Sequence, residues 1–205
     1  MYIKSQLLND VDKCIGVLDV RLILCENKNQ LNTVNHIIDN YHSYVPTHNS
    51  VGRRVDWLIS VNGEIVGMIG IGSSTYPPPK DLLIKLGISM DEYRNRFNSI
   101  ANNWRFCITK SMPNLGTRVL KLLRNNCKKV WKDKYGDELE YLITFVGANH
   151  NGAVYRADNW ELIGETSGLP EHLSVSMKWD NKQSISQKFV KPNGENKKLI
   201  FLKKL

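Results

Sequence analysis

Two apolar runs, residues 55–61 and 65–71, flank the dipeptide Asn62-Gly63. Asn-Gly takes up the positive backbone angles that a two-residue turn between right-twisted strands requires. The pattern predicts an antiparallel hairpin, and with it a sheet around which the rest of the chain must be arranged. Upstream, apolar residues within 15–25 (Val17, Leu18, Val20, Leu22 and Leu24) predict a first strand. Asn27 or Asn29 then caps a helix that carries Leu31, Val34, Ile37 and Ile38 on one face and ends near Tyr41-His42-Ser43-Tyr44. Residues 45–52 hold turn formers and read as a loop.

Downstream, Pro77-Pro78-Pro79 stops the sheet. A helix carrying Leu82, Leu83 and Leu86 follows and ends at Gly87, and Ser89 precedes a second helix over 91–101. This helical insertion, about 77–101, is expected to pack over the sheet or to act as a lid. A short strand over 104–109 and a turn over 111–117 lead into a long helix. Its apolar face is Val119, Leu120, Leu123, Cys127, Val130 and Trp131, and Gly136 ends it. A strand over 139–146, a short helix over 152–157, a strand over 160–164 and a C-terminal hairpin over about 184–205, turning at Pro192-Asn193-Gly194, complete the order. The chain reads as one α/β domain with a mixed sheet flanked by helices, in the layout of GNAT-type acyltransferases.

The composition is 41% hydrophobic and 23% charged, as in ordinary folded domains. No apolar run reaches the ~18 residues of a membrane span. Cys14, Cys25, Cys107 and Cys127 are scattered and form no Cys-x-x-Cys pair, so four free thiols and a cytoplasmic setting are expected. The net charge of +8 favours a polyanionic partner, with nucleic acid first among the candidates.

Chemistry concentrates in four places. The turn that opens the long helix, with Asn114, Leu115, Gly116 and Thr117, is a candidate phosphate cradle for an acyl-coenzyme A donor, because free N–H groups and the dipole at a helix start favour anions. Only one glycine stands there, and Pro113 removes a donor. Tyr41, His42, Ser43, Tyr44, His48, Asn49 and Ser50 gather imidazoles, phenols and hydroxyls in ten residues. Imidazole moves protons near neutral pH. Together with His150 these histidines could ligate a metal, although the spacing matches no zinc motif and no metal site is expected.

Arg105, inside a strand, can hold a phosphate or a carboxylate through two hydrogen bonds. Tyr155, Asn159 and Trp160 follow the end of the 139–146 strand: Tyr155 as a proton donor, Asn159 as a reader of an amide or base edge, Trp160 as a stacking platform. Arg53, Arg54, Lys110, Lys128 and Lys129 are candidates to track phosphates, and Trp160 joins them as a DNA contact.

Several of these blocks together resemble the phage Mom-type DNA modification proteins and the Druantia defence protein A family. The first runs from Tyr41-His42 through Asn49-Ser50 into the hairpin; the second is Asn102-Asn103-Trp104-Arg105-Phe106 with Pro113-Asn114-Leu115-Gly116-Thr117; the third is Phe145-Val146 through Tyr155-Arg156-Ala157-Asp158-Asn159-Trp160 to Gly164. The resemblance implies a GNAT-like fold, action on an exocyclic amine of a DNA base, a small-molecule group donor, and Tyr41, His42, Arg105, Tyr155 and Asn159 as site residues. These families usually carry Asp two residues after the Phe of the strand, where this chain has Gly147, so Asp158 or Asp56 would have to substitute. A DNA-binding component without catalysis and a conventional acyl-coenzyme A N-acetyltransferase are the two other readings.

Overall fold

The computed structural model describes residues 18–42, 52–147, 150–168 and 196–205. Among them a seven-stranded mixed sheet has the order β1-β2-β3-β4-β5-β7-β6. The strands are β1 (Val20–Leu24), β2 (Arg54–Val61), β3 (Glu64–Ser73), β4 (Ile100–Ile108), β5 (Tyr141–Val146), β6 (Glu161–Glu165) and β7 (Leu199–Lys204). The helices are α1 (Lys28–Tyr41), α2 (Lys80–Leu86), α3 (Met90–Asn95), α4 (Leu115–Tyr135) and α5 (Ala153–Ala157).

β2 and β3 form the expected hairpin. Asn62 and Gly63 both have positive φ, 51° and 85°. Alternation then divides the core into two layers. Val55, Trp57, Ile59 and Val61 of β2 pack with Val119, Leu120, Leu123 and Trp131 of α4, whereas Leu58 packs with Val34, Ile37 and Ile38 of α1. α1 and α4 therefore lie on opposite faces of the sheet. Each of these large apolar side chains contributes about 1.5–3 kcal/mol by leaving water. On the α1 face, Leu82 of α2 and Tyr93 of α3 pack with Ile100, Ile143 and Ile200. The insertion thus packs over the sheet.

Local chemistry fixes the ends of these elements. Asn27 caps α1 by accepting from Gln30 N at 3.0 Å, while Gln30 Oε1 accepts from Asn27 N at 3.2 Å. Gly87 and Gly136 stop α2 and α4 in the left-handed region. Some boundaries differ from the sequence reading. Leu31 of α1 is exposed. The helix expected over 91–101 ends at Asn95, and residues from Ile100 onward pair in β4. A β-branched residue that can join a three-stranded ladder gains more there than in a short polar helix. The C-terminal strand β7 pairs with β5 and β6. The hairpin turn expected at 192–194 lies outside the described residues, as does the loop at 45–51.

Candidate active site

β4 and β5 are parallel neighbours that pair only at one end, Ile100–Asn102 with Tyr141–Ile143. Beyond that point β4 continues to Ile108 and β5 to Val146, and no further pairs join them. A wedge opens in the middle of the sheet. Such a gap leaves main-chain groups of a central strand facing a ligand-sized space, at the carboxyl ends of parallel strands where open α/β sheets bind ligands.

A bulge in β4 shapes the wedge. Opposite β3 the register slips between the Gly70↔Arg105 and Gly72↔Asn102 pairs, so Asn103 and Trp104 crowd into one place. Asn103 is turned toward the α4 face. Its amide nitrogen donates to Gly70 O at 2.7 Å and to Arg105 O at 3.2 Å, which satisfies carbonyls of the irregular ladder. Its Oδ1 accepts from the Tyr155 hydroxyl at 2.8 Å. From the β5 wall, Thr144 Oγ1 lies 3.2 Å from Asn103 O and 3.4 Å from the Tyr155 oxygen. Tyr155 is stacked on Phe201 at 5.8 Å and meets Trp160 edge-on at 5.1 Å, so the phenol is locked in place. Asn103 and Thr144 were not singled out as site residues from the sequence. Asn103 stands in the same quoted block as Arg105, but a bulge cannot be read from one strand alone.

The other side of the bulge faces α1. Phe106 and Ile108 pack with the α4 layer and Cys107 with the α1 layer, so Arg105, two residues before Cys107, is turned to the α1 side together with the bulged Trp104. The Arg105 guanidinium lies 4.8 Å over the Trp104 ring and donates to Trp104 O at 2.7 Å. Trp104 is itself anchored: its indole N–H donates to Asp56 Oδ1 at 3.1 Å, and the Arg54 guanidinium sits 4.2 Å from its ring. Asp56, almost fully buried, also binds Arg54 Nε. Burial pushes its carboxyl up, and the bonds to Arg54 and Trp104 oppose that shift.

His42, the C-cap of α1, is in the same electrostatic neighbourhood as Arg105. Burial first, and then Arg105, His150 and Lys198, push its imidazole down to about 4, so it is the neutral base at pH 7. Burial and Arg105 likewise hold the Lys198 ammonium below its usual range. Arg105 of β4, His150 after β5 and Lys198 before β7 thus lie near enough to His42 for their charge to act on its imidazole.

The α4 N-terminus lies on the other face. Asn114 precedes it with φ 57° and makes no side-chain cap. Thr117 Oγ1 is spent on Asn114 O at 3.0 Å. The amides of Gly116 and Thr117 have no acceptor among the described residues. A β-carbon at Gly116 would meet Val154 Cγ2 at 2.5 Å, so the glycine is required by the packing of α5 on α4. Two free amides at the start of a 21-residue helix fit a phosphate oxygen, with fewer donors than a glycine-rich loop offers.

The remaining sequence candidates are placed as follows. Tyr41 is exposed at the end of α1. Asn159 is exposed on the turn after α5, with φ 56°, and its carbonyl accepts from Lys203 Nζ at 2.9 Å. Trp160 is buried and its indole donates to Asp158 Oδ2 at 3.0 Å, so its ring packs in the core instead of facing a base. Asp158 is held by Arg124 through two bonds, at 2.7 and 2.9 Å, and Asp56 by Arg54 and Trp104.

Four of the five basic residues read as phosphate trackers are paired with carboxylates: Arg53 with Asp137, Arg54 with Asp56, Lys110 with Glu64 and Lys129 with Asp133. Lys128 is exposed. Arg54 and Asp56 also line a cavity of about 680 Å³ that reaches Val130 of α4. Val130 is about 22 Å along the helix from Leu115 at ~1.5 Å per residue, so this cavity is separate from the α4 N-terminus. Among the described residues no group of three or more His, Cys, Asp or Glu is placed to hold a metal, and no helix is long and apolar enough to cross a membrane.

The split central sheet, with the long helix following the bulged strand, is the GNAT acetyltransferase fold. The chain is similar in structure to NAA60 of Arabidopsis thaliana in complex with acetyl-CoA, at a TM-score of 0.52 and 15% identity over 92% of this chain and 99% of that one. It is also similar to aminoglycoside acetyltransferase AAC(6')-Ib in complex with coenzyme A and kanamycin, at 0.51 and 10% over 90% and 95% of the two chains. The C-terminal condensation domain of Ebony, in complex with beta-alanyl-dopamine, aligns at 0.50 and 9% over 92% and 100%. These likenesses are of fold. No protein-family model and no curated protein matches the sequence.

Proposed function

We propose that the protein is an acyltransferase that uses a thioester of coenzyme A, or of a related pantetheine, and delivers the acyl group to an amine. The observation that carries this reading is the unpaired wedge between β4 and β5, with Tyr155 and Asn103 bonded across it. The solved structures that share the fold include complexes with acetyl-CoA and coenzyme A, which supports a donor of that class. The donor would supply an acyl carbon activated by its sulfur leaving group. The free amides of Gly116 and Thr117 would hold one of its phosphates.

The chain's own residues divide the remaining work between two faces. On the α1 face His42, neutral at pH 7, can accept the proton that an attacking amine must lose. On the α4 face Tyr155 holds a proton at its hydroxyl that it can give to a departing thiolate, and Asn103 and Thr144 fix where that proton sits. The packing of Phe201 and Trp160 around Tyr155 keeps water from that side.

A second reading keeps this chemistry and makes the acceptor a nucleobase amine in DNA. The charge of Arg105, His150 and Lys198 near His42, together with the net charge of +8, favours it. A base in a duplex would have to leave the stack to reach the wedge.

Thermal denaturation separates the readings. A ligand present at ~100 times its dissociation constant adds about 2.7 kcal/mol to stability. Acetyl-CoA is expected to raise the melting temperature under either reading. A further rise with a single-stranded oligonucleotide at low salt supports the second, and its absence supports the first. A protein that responds to neither would refute both.

A further inference from the structure

The edge strand β1 stops early. Its last pair is Leu24 with Trp57, whereas β2 extends past that pair to Arg54. Beyond the end of β1, side chains of α4 take up the main chain of Arg54. Lys134 Nζ donates to Arg54 O at 2.9 Å, and the Tyr135 hydroxyl accepts from Arg54 N at 2.8 Å and donates to Arg54 O at 2.9 Å. The cavity of about 680 Å³ occupies this opening at the sheet edge, between α1 on one face and α4 on the other.

Its walls sort by chemistry. Leu24 of β1, Leu31 of α1 and Val130 of α4 supply apolar surface from three elements. Leu31 continues the stripe of Val34, Ile37 and Ile38 that packs with Leu58, yet it is 38% exposed, because its turn of α1 looks into the cavity and not onto the sheet. An apolar side chain left in this way gains when a ligand covers it. The inner wall is the Arg54–Asp56 pair, in which the Asp56 side chain is only 1% exposed and each charge answers the other. Asp133 is likewise paired, with Lys129.

Two charges are left over, of opposite sign and on opposite walls. Glu26, just before α1, is exposed, and its carboxylate has no partner among the described residues. Lys134 of α4 is exposed too, and its ammonium donates to a carbonyl but to no carboxylate among the described residues. A cavity of about 300–1,000 Å³ with apolar walls and a few polar groups that fix orientation is the usual form of a small-ligand site. The two charges call for a zwitterion with an apolar body. A sphere of the cavity's volume is about 11 Å across, and an extended chain advances ~3.5 Å per residue, so two or three residues span it.

We infer that the cavity past the end of β1 is a binding site for a short apolar peptide with free ends, its ammonium at Glu26, its carboxylate at Lys134 and its side chains on Leu24, Leu31 and Val130. The site stands apart from the α4 N-terminus, and the inference does not depend on the acyltransferase reading.

The test is an NMR titration of the isotope-labelled full chain with the tripeptide Ala-Leu-Ala, with no acyl donor present. Saturable shifts at millimolar peptide are expected at the amides of Glu26, Leu31 and Lys134. Blocking one end, as N-acetyl-Ala-Leu-Ala or as the C-terminal amide, is expected to weaken binding about threefold to tenfold, the worth of an ion pair at a partly exposed place. Each block should cost nothing further in the variant that lacks its partner: acetylation in Glu26→Gln, amidation in Lys134→Gln. Leu31→Trp, at an exposed helix position, fills the cavity and should abolish binding while leaving the melting temperature within a few degrees. Absence of binding overturns the inference. So do shifts confined to other parts of the chain, blocked peptides that bind as well as the free one, and undiminished binding in Leu31→Trp. Because no donor is present, failure here is distinct from failure of acetyl-CoA to bind.

Discussion

The Tyr155 hydroxyl donates to Asn103 Oδ1 at 2.8 Å, joining the helix after β5 to the bulge of β4 across the opening between the two strands. Asn103 spends its amide nitrogen on Gly70 O, two strands away from β5, so one side chain ties Tyr155 to the hairpin. The acceptor in this bond is a neutral amide, which suits a phenol that must hold its proton until a leaving group needs it.

Tyr155→Phe is expected to keep the fold, because the ring remains stacked on Phe201 and against Trp160. Asn103 Oδ1 loses its donor in a buried place, at a cost of about 1–3 kcal/mol. Release of free thiol from acetyl-CoA in the presence of an amine acceptor should fall by about 10²–10⁴, the range for loss of a general acid. Circular dichroism alongside a thiol assay checks both halves.

Gly70→Ala should be among the most damaging single-methyl additions. The new carbon would lie 2.3 Å from the Asp56 carboxylate and 2.4 Å from the Trp104 indole nitrogen, and both groups are anchored. Overpacking costs about 1–3 kcal/mol, and displacing the buried Asp56–Arg54 pair adds to it. Urea denaturation should show a loss at or above that range.

Asp158→Asn should destabilise the protein by about 3–5 kcal/mol, since it leaves the partly buried Arg124 guanidinium without its two-bond partner. The same change weakens the Trp160 anchor. A drop in melting temperature that Arg124→Met relieves in the double variant would confirm that the unpaired charge is the cause.

His42 gives the protein a pH dependence with a definite sign. Its imidazole lies near 4 in the folded chain against 6.5 when exposed, so the unfolded state binds the proton more readily between those values. Stability is complete above about pH 6.5, and it declines as pH falls toward 4. His42→Gln should flatten this part of the curve in thermal melts. If His42 accepts the amine proton, the acid limb of kcat/KM should lie well below 6.5.

The hairpin, α1 with its Asn27 cap, α4 with its glycine stop, and the placing of Arg105 inside a strand and of Tyr155 on a short helix after one could all be read from the sequence, because each depends on local turn chemistry or periodicity. The wedge could not. It arises from where β5 stops pairing with β4, and from a bulge that puts Trp104 and Arg105 on one face and Asn103 on the other; both are properties of strand partnership. The same holds for the basic residues. Arg53, Arg54, Lys110 and Lys129 look like phosphate contacts in sequence, yet each meets a carboxylate: Asp137 for Arg53 and Glu64 for Lys110, both distant in the chain, Asp56 in the same strand for Arg54, and Asp133 one helical turn on for Lys129. Lys198, which no local pattern marks, lies near enough to Arg105 and His42 for their charges to interact.

The most direct test of the donor site is calorimetric titration of acetyl-CoA into the wild type and Tyr155→Phe, paired with a thiol-release assay on an amine panel that includes adenosine monophosphate and single-stranded DNA. The account predicts saturable binding at one site per chain in both proteins, thiol release in the wild type, and release reduced by about 10² or more in the variant. No heat of binding and no thiol release from well-folded wild-type protein would contradict it.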